Sequence, residues 1–214
     1  MKKVFIHGWG FSKNVWKDYF YLDDAQFIDL PFHGDSKTSE FTTLDSFAGY
    51  LSEKIDEPTT LIGWSIGATI SVLTALKNPH VKKLILIGFS PKFNDEKLGS
   101  SPSSIKAFMI NLKKDFEKTV KNFRITSIEN DPSCRLPEKE GSTLLLNDFI
   151  EADLTDRLQE IKCETHILHG IKDKIVNKEA AFFTHSRIEK SQLYLFDSHH
   201  GPFLERDITE IVCQ

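Results

Sequence analysis

The sequence predicts an α/β protein with a mostly parallel central sheet flanked by helices. Three observations carry that expectation. Short apolar runs recur at Val4-Phe5-Ile6, Ala25-Gln26-Phe27-Ile28-Asp29-Leu30, Thr60-Leu61-Ile62 and Val81 to Ile87, and again at His166-Ile167-Leu168 and Ser191 to Phe196. Helix-like stretches separate several of them, and a strand-helix-strand order implies right-handed parallel crossovers. The run Leu84-Ile85-Leu86-Ile87 lacks polar alternation, as a strand covered on both faces should.

The bounds are those of an ordinary globular chain. A length of 214 residues suits one compact domain carrying an insertion, and 40% hydrophobic with 27% charged residues excludes wholesale disorder and a fibrous fold. A formal net charge of -4, from 27 basic and 31 acidic residues, argues against a general nucleic-acid binder. Cys134, Cys163 and Cys213 are too few and too widely spaced for a disulfide framework. Met1-Lys2-Lys3 starts like a signal peptide, but His7-Gly8-Trp9-Gly10 interrupts the apolar run, and no stretch reaches membrane-spanning length. A soluble, cytoplasmic, monomeric protein is the expectation.

In chain order, the first strand enters the glycine-rich turn His7-Gly8-Trp9-Gly10. His7 reads either as a catalytic residue or, with better support, as a structural group in that turn. Pro31 and Gly34 end the second strand, and the loop between them places His33 and Asp35 where they either touch substrate or stand as exposed loop residues. Thr42 or Thr43 caps a helix in which Leu44, Phe47 and Leu51 share a face.

The third strand leads into Gly63-Trp64-Ser65-Ile66-Gly67 and an apolar helix ending near Asn78-Pro79. A nucleophile elbow has this form: the serine projects above the carboxyl end of the sheet, and glycines two residues either side relieve crowding between strand and helix. No G-x-G-x-x-G follows an early strand, so dinucleotide binding has no specific support.

From Ser90 to about Thr155 the strand-helix rhythm breaks. Residues 105–123 read as one long helix with Ile105, Phe108, Met109, Leu112, Phe116, Val120 and Phe123 on its apolar face. It is expected to be a core helix or part of a cap across a site. Asp131-Pro132-Ser133 and Leu136 to Gly141 divide this region before a short helix at Leu144 to Ile150. The expected organisation is therefore a core of residues 1–90 and 156–214 with an inserted helical cap at 91–155. Lys106, Lys113, Lys114, Lys118, Lys121 and Arg124 are either a solvated face or a patch steering an anionic partner.

Beyond the insertion, Asp173 follows one strand in Leu168-His169-Gly170-Ile171-Lys172-Asp173, and His199-His200 follows the next. Parallel strands gather the loops at their carboxyl ends, so Ser65, Asp173 and His200 meet in the chain order of a serine, acid, base triad. Ser65 would attack an acyl carbon, neutral His200 would accept its proton, and Asp173 would orient the imidazole and stabilise its protonated form. His199 competes with His200 for the base, and the Gly201-Pro202-Phe203 continuation favours His200. The backbone amides of Trp9 and Ile66 are candidate oxyanion donors. No metal-ligand spacing stands out, and the chemistry requires no cofactor.

These motifs, His7-Gly8-Trp9-Gly10, Gly63-Trp64-Ser65-Ile66-Gly67, Phe89-Ser90-Pro91, Gly170-Ile171-Lys172-Asp173 and His200-Gly201-Pro202-Phe203, resemble the pimeloyl-ACP methyl ester carboxylesterase family of biotin synthesis, within the α/β-hydrolases. The last differs from the family's H-A-P-F by glycine for alanine. The resemblance implies an α/β-hydrolase with a shortened sheet and a small helical cap. It assigns nucleophile, acid and base to Ser65, Asp173 and His200, and an oxyanion role to Trp9. It further implies that Trp9, Trp64 and Phe108 contact substrate. Lys113, Lys114, Lys121 and Arg124 become candidates for contacting a pimeloyl methyl ester linked to acyl carrier protein. A general short-acyl carboxylesterase, a C–C bond hydrolase or menaquinone-pathway lyase, and a non-enzymatic carrier-binding protein remain as alternatives.

Overall fold

A computed structural model describes residues 1–129 and 134–213. Six strands form one sheet: β1 (Lys2–Ile6), β2 (Ala25–Ile28), β3 (Thr59–Trp64), β4 (Val81–Ile87), β5 (Glu164–Gly170) and β6 (Ser191–Phe196). Their order is β2-β1-β3-β4-β5-β6, and every neighbouring pair is parallel. All six expected strands are present. The three central strands β3, β4 and β5 are almost continuously buried, which is why their sequences are apolar runs without alternation.

The chain winds outward from β1 to β2, then returns to place β3 on the other side of β1. That reversal opens a crevice at the carboxyl ends of β1 and β3, where α/β folds bind ligands. The two loops leaving these strands are Gly8-Trp9-Gly10 and the turn at Ser65.

Helices α1 (Leu44–Lys54) and α2 (Ile66–Lys77) pack against each other and cover one face. Thr43 caps α1, its hydroxyl accepting the Ser46 amide at 3.2 Å. The core on that side includes Phe47, Leu51, Ile70 and Leu84, while Phe5, Trp16, Ile85 and Phe203 fill the other side.

Between β4 and β5 the chain inserts α3 (Pro102–Lys114), α4 (Phe116–Ile128) and α5 (Lys139–Glu151). The single helix expected over 105–123 is in fact two. Asp115 ends α3, its amide donating to the Asn111 carbonyl, and starts α4, its carboxylate accepting the Lys118 amide at 3.1 Å. An aspartate at an N-cap competes with helix continuation by satisfying the next helix's free amides, and Asp115 has left helical backbone angles. Asp131-Pro132-Ser133, expected to divide these helices, lies outside the described residues. Helices α6 (Glu179–Arg187) and α7 (Thr209–Cys213) complete the fold. Among the described residues, no helix is long and apolar enough to cross a membrane.

Candidate active site

Ser65 occupies a backbone conformation of φ 56° and ψ -122°, one that side chains with a Cβ seldom adopt. The turn is tight enough to exclude side chains on both sides. A Cβ on Gly63 would lie 2.4 Å from the Gly67 carbonyl oxygen, and one on Gly67 would lie 2.3 Å from that of Ile6. Strand and helix therefore touch through bare backbone, and the Ser65 amide is anchored to the Ile87 carbonyl at 2.8 Å.

Asp173 and His200 are brought together from the loops after β5 and β6. His200 Nδ1 donates to Asp173 Oδ2 at 2.7 Å, and both side chains are buried. The other carboxylate oxygen, Oδ1, accepts the amides of Ile175 at 2.7 Å and Val176 at 3.0 Å. Burial alone would raise the Asp173 pKa, but the charge and hydrogen bond of His200 outweigh it and hold the carboxyl below its ordinary range. Among the described residues, His200 Nε2 is buried with no hydrogen-bond partner, and Ser65 does not bond to it.

His199 is oriented differently from its neighbour. Its ring lies 3.2 Å from Glu129 and 3.3 Å from Glu205, tying the loop to the end of α4. The choice between the two histidines thus turns on the acid each meets: His200 meets Asp173, and His199 does not. Behind Asp173, buried His169 places Nε2 3.7 Å from Oδ2, and burial lowers its pKa, keeping it neutral.

Trp64, expected to border substrate, is wholly buried under the turn. Its indole N–H is taken by the His200 carbonyl at 2.9 Å, and its ring packs against Phe11 and Phe203. The residue that precedes Ser65 therefore holds the backbone of His200. Trp9 is also buried, its indole N–H donating to the Ser142 carbonyl at 2.8 Å on α5 and its ring meeting Phe108 and Phe123 edge-on. Among the described residues, the Trp9 backbone amide donates to no protein acceptor.

His33 is buried, not an exposed loop residue. Its Nε2 accepts the Gly10 amide at 3.0 Å while Nδ1 donates to the Pro31 carbonyl at 2.8 Å. Burial pushes its pKa down to about 3, assisted by the charge of His7. His7 likewise supports the turn: Nε2 accepts the Leu30 amide, leaving Nδ1–H for the Gly8 carbonyl at 2.7 Å. Asp35 is exposed, with its amide on Asp29.

The expected basic contacts divide. Lys113 and Lys114 are exposed on α3, and exposed Lys121 pairs with Glu117 at 2.7 Å. Arg124 is buried with its guanidinium spent on backbone carbonyls, so it is not a surface cation. Lys114 and Lys118 instead line a groove of about 410 Å³ between α3 and α4, together with Phe108, Phe123 and Ile175.

A parallel sheet with a serine on a strained turn after β3, and an acid–histidine pair after β5 and β6, places the chain among the α/β hydrolases. Residues 4–212 match the alpha/beta hydrolase family, and the chain belongs to it. It is 29% identical over 223 residues to the pimeloyl-[acyl-carrier protein] methyl ester esterase of Vibrio campbellii, covering 94% of this chain and 88% of that protein. The corresponding esterase of Vibrio cholerae is 28% identical over 233 residues, covering 99% and 91%. An esterase from Exiguobacterium antarcticum shares the fold with a TM-score of 0.85 at 23% identity, covering 99% of this chain and 89% of that one.

Proposed function

We propose that the protein is a serine carboxylesterase that hydrolyses the methyl ester of pimeloyl-[acyl-carrier protein] in biotin synthesis. The reaction frees the distal carboxylate and methanol. The observation that carries the esterase reading is the buried Asp173–His200 hydrogen bond, with Nε2 of His200 unpartnered among the described residues and the His200 carbonyl bonded to Trp64, the residue before Ser65. The names of the Vibrio relatives carry the substrate.

In this reading Nε2 of His200 takes the proton from Ser65 Oγ as Oγ attacks the ester carbonyl. Asp173 holds the imidazole in the tautomer with Nδ1–H and stabilises the imidazolium. The tetrahedral oxyanion is met by the backbone amides of Trp9 and Ile66, the latter at the first residue of α2, where the helix dipole adds to the stabilisation. Collapse expels methanol, protonated by His200, and leaves an acyl-serine. Water, deprotonated by His200, then releases the carboxylate and restores Ser65.

Residues 91–155 act as a cap over this site. The groove between α3 and α4 is lined by apolar Phe108, Phe123 and Ile175, suited to methylenes, and by Lys114 and Lys118, suited to a phosphate or an acidic carrier, with the Asp115 carboxylate also on its wall. Selectivity for the methyl ester over the carrier thioester then comes from which carbonyl the cap delivers to Ser65.

Incubation of the protein with methyl pimeloyl-carrier, followed by intact mass measurement, tests the proposal. Loss of the methyl group with the carrier link retained is expected, and Ser65→Ala should abolish it. Release of free carrier as the main product would reject the selectivity. Faster cleavage of simple short esters than of the carrier conjugate would favour a general carboxylesterase.

A further inference from the structure

Arg124 projects from α4 toward β1 and is only 1% exposed, unusual for a residue on a lysine-rich helix. Burying a guanidinium is costly unless its donors are satisfied. Here they are spent on main chain: Nε donates to the Gly10 carbonyl at 2.6 Å, Nη1 to that of Cys134 at 3.0 Å and Nη2 to that of Arg135 at 3.1 Å. Its Cζ lies 5.9 Å from the centroid of the Phe11 ring.

The Gly10 contact has geometric leverage. The Gly10 carbonyl and the Phe11 amide belong to one planar peptide. The Phe11 amide donates to the Gly8 carbonyl at 3.3 Å, and that carbonyl shares its peptide with the Trp9 amide. In a trans peptide, C=O and N–H point in opposite directions. Fixing the Gly10 oxygen therefore orients the Phe11 N–H, which orients the Gly8 oxygen, which aims the Trp9 N–H the other way. His33 fixes the intervening Gly10 amide from the core side at 3.0 Å. Gly10 itself has φ +82°, a freedom these contacts limit, and the Gly8 oxygen is held from its other side by His7 Nδ1–H at 2.7 Å, so Arg124 and His7 share the aiming of this peptide.

We infer that Arg124 is a positioning residue for the oxyanion hole, aiming the Trp9 amide through two hydrogen-bonded peptide planes and so making the donor geometry depend on the inserted helices. The inference rests on the proposed reading of Trp9 as an oxyanion donor. A surface role in carrier binding would need the guanidinium in water; three carbonyls hold it inside. Lysine replaces it only in part, because a point ammonium on a flexible stem lacks the planar fork that reaches three acceptors at once.

The test uses Arg124→Met and Arg124→Lys with p-nitrophenyl acetate as substrate and a short alkyl trifluoromethyl ketone as inhibitor. The ketone adds reversibly to Ser65 Oγ, whose proton passes to His200, and its carbonyl oxygen becomes the anion in the hole. Deleting an oxyanion donor costs roughly 100- to 1,000-fold, and misaiming one costs less, so kcat of Arg124→Met should fall about 10- to 100-fold. KM should stay within about twofold, and ketone inhibition should weaken in parallel with kcat, because only the anion uses the hole. The pH midpoint of kcat should not move, since arginine does not titrate. Arg124→Lys should recover part of the loss. A folded variant of either kind with kcat and ketone inhibition both within about twofold of the parent overturns the inference. Should Arg124→Met fail to fold, Arg124→Lys decides alone. Ser65→Ala assayed alongside separates the two readings. Turnover retained in Ser65→Ala rejects the nucleophile assignment; loss there with Arg124 variants unaffected rejects only the role of Arg124.

Discussion

Gly88 makes room for His200. A Cβ at Gly88 would lie 2.8 Å from Cε1 and 2.9 Å from Nδ1 of the imidazole, and the residue already sits at φ +56° just past the end of β4. Gly88→Ala meets both penalties at once: backbone strain, and displacement of the ring that bonds Asp173. Stability should fall by about 1–3 kcal/mol, and kcat on a short ester at least about tenfold, since a misplaced base loses proton transfer. Gly49 in α1 is the control, because nothing lies within 4 Å of a Cβ there. Gly49→Ala should gain about 0.5–1 kcal/mol with activity unchanged. Denaturant midpoints and kcat for the two variants check both halves.

Strain at Ser65 gives a second, independent prediction. Replacing the serine by alanine removes the hydroxyl and keeps a Cβ in an unfavourable backbone region; glycine removes both. Strain of this kind costs on the order of 1–3 kcal/mol, against about 0.5–1 kcal/mol of added unfolded-state entropy for glycine. Both variants should be inactive, and Ser65→Gly should be the more stable by about 1 kcal/mol. Equal denaturation midpoints would mean that the turn stores no strain at this residue.

Much of this architecture could be read from residue patterns because each signal was local. Buried parallel strands are short apolar runs, so all six were found, and the serine turn shows its glycines in sequence. The His200–Asp173 pairing was accessible because parallel strands put their end loops on one rim. What escaped is non-local. The burial of Trp64 depends on a carbonyl 136 residues away in sequence, and that of Arg124 on carbonyls of the first loop and of the link before α5. The break at Asp115 did carry a local signal, an aspartate followed by Glu117 in a helix's first turn. A continuous apolar face across both helices concealed it.

Acid sensitivity should begin at the histidines. His33 is held neutral, its pKa pushed down to about 3 by burial, whereas in the unfolded chain it titrates near 6.5. Between those values the unfolded state binds the proton and the folded state does not. Its contribution is therefore intact above about pH 6.5 and lost on descending toward 3, by up to about 1.4 kcal/mol per pH unit. Asp173 acts lower: its pKa is depressed by His200, so its contribution holds above the ordinary carboxylate range and disappears as pH falls through its folded value. His33→Gln keeps an acceptor for the Gly10 amide and removes the titration. Its urea-unfolding free energy should fall less steeply between pH 6 and 4 than the parent's, by about one proton's worth of slope. Identical slopes would mean that His33 takes up a proton without unfolding.

The lysines of α3 and α4 separate a carrier surface from a merely solvated one. Lys114 and Lys118 border the same groove as Phe108 and Phe123, and neither makes a side-chain ion pair among the described residues. Exposed charges act over about a Debye length, roughly 10 Å at 0.1 M salt, so their effect on an acidic carrier must fade as salt rises. A double reversal, Lys114→Glu with Lys118→Glu, should raise KM for the carrier-linked ester roughly tenfold at low salt. The gap from the parent should shrink at about 0.5 M salt, where screening shortens the interaction to a few ångströms. For p-nitrophenyl acetate, which carries no charge, kcat/KM should be unchanged at every salt concentration. A KM for the carrier conjugate indifferent to both reversal and salt would leave these lysines as a solvated face. A loss shared equally by the small ester would instead point to damage of the α3–α4 groove, since it is independent of carrier charge.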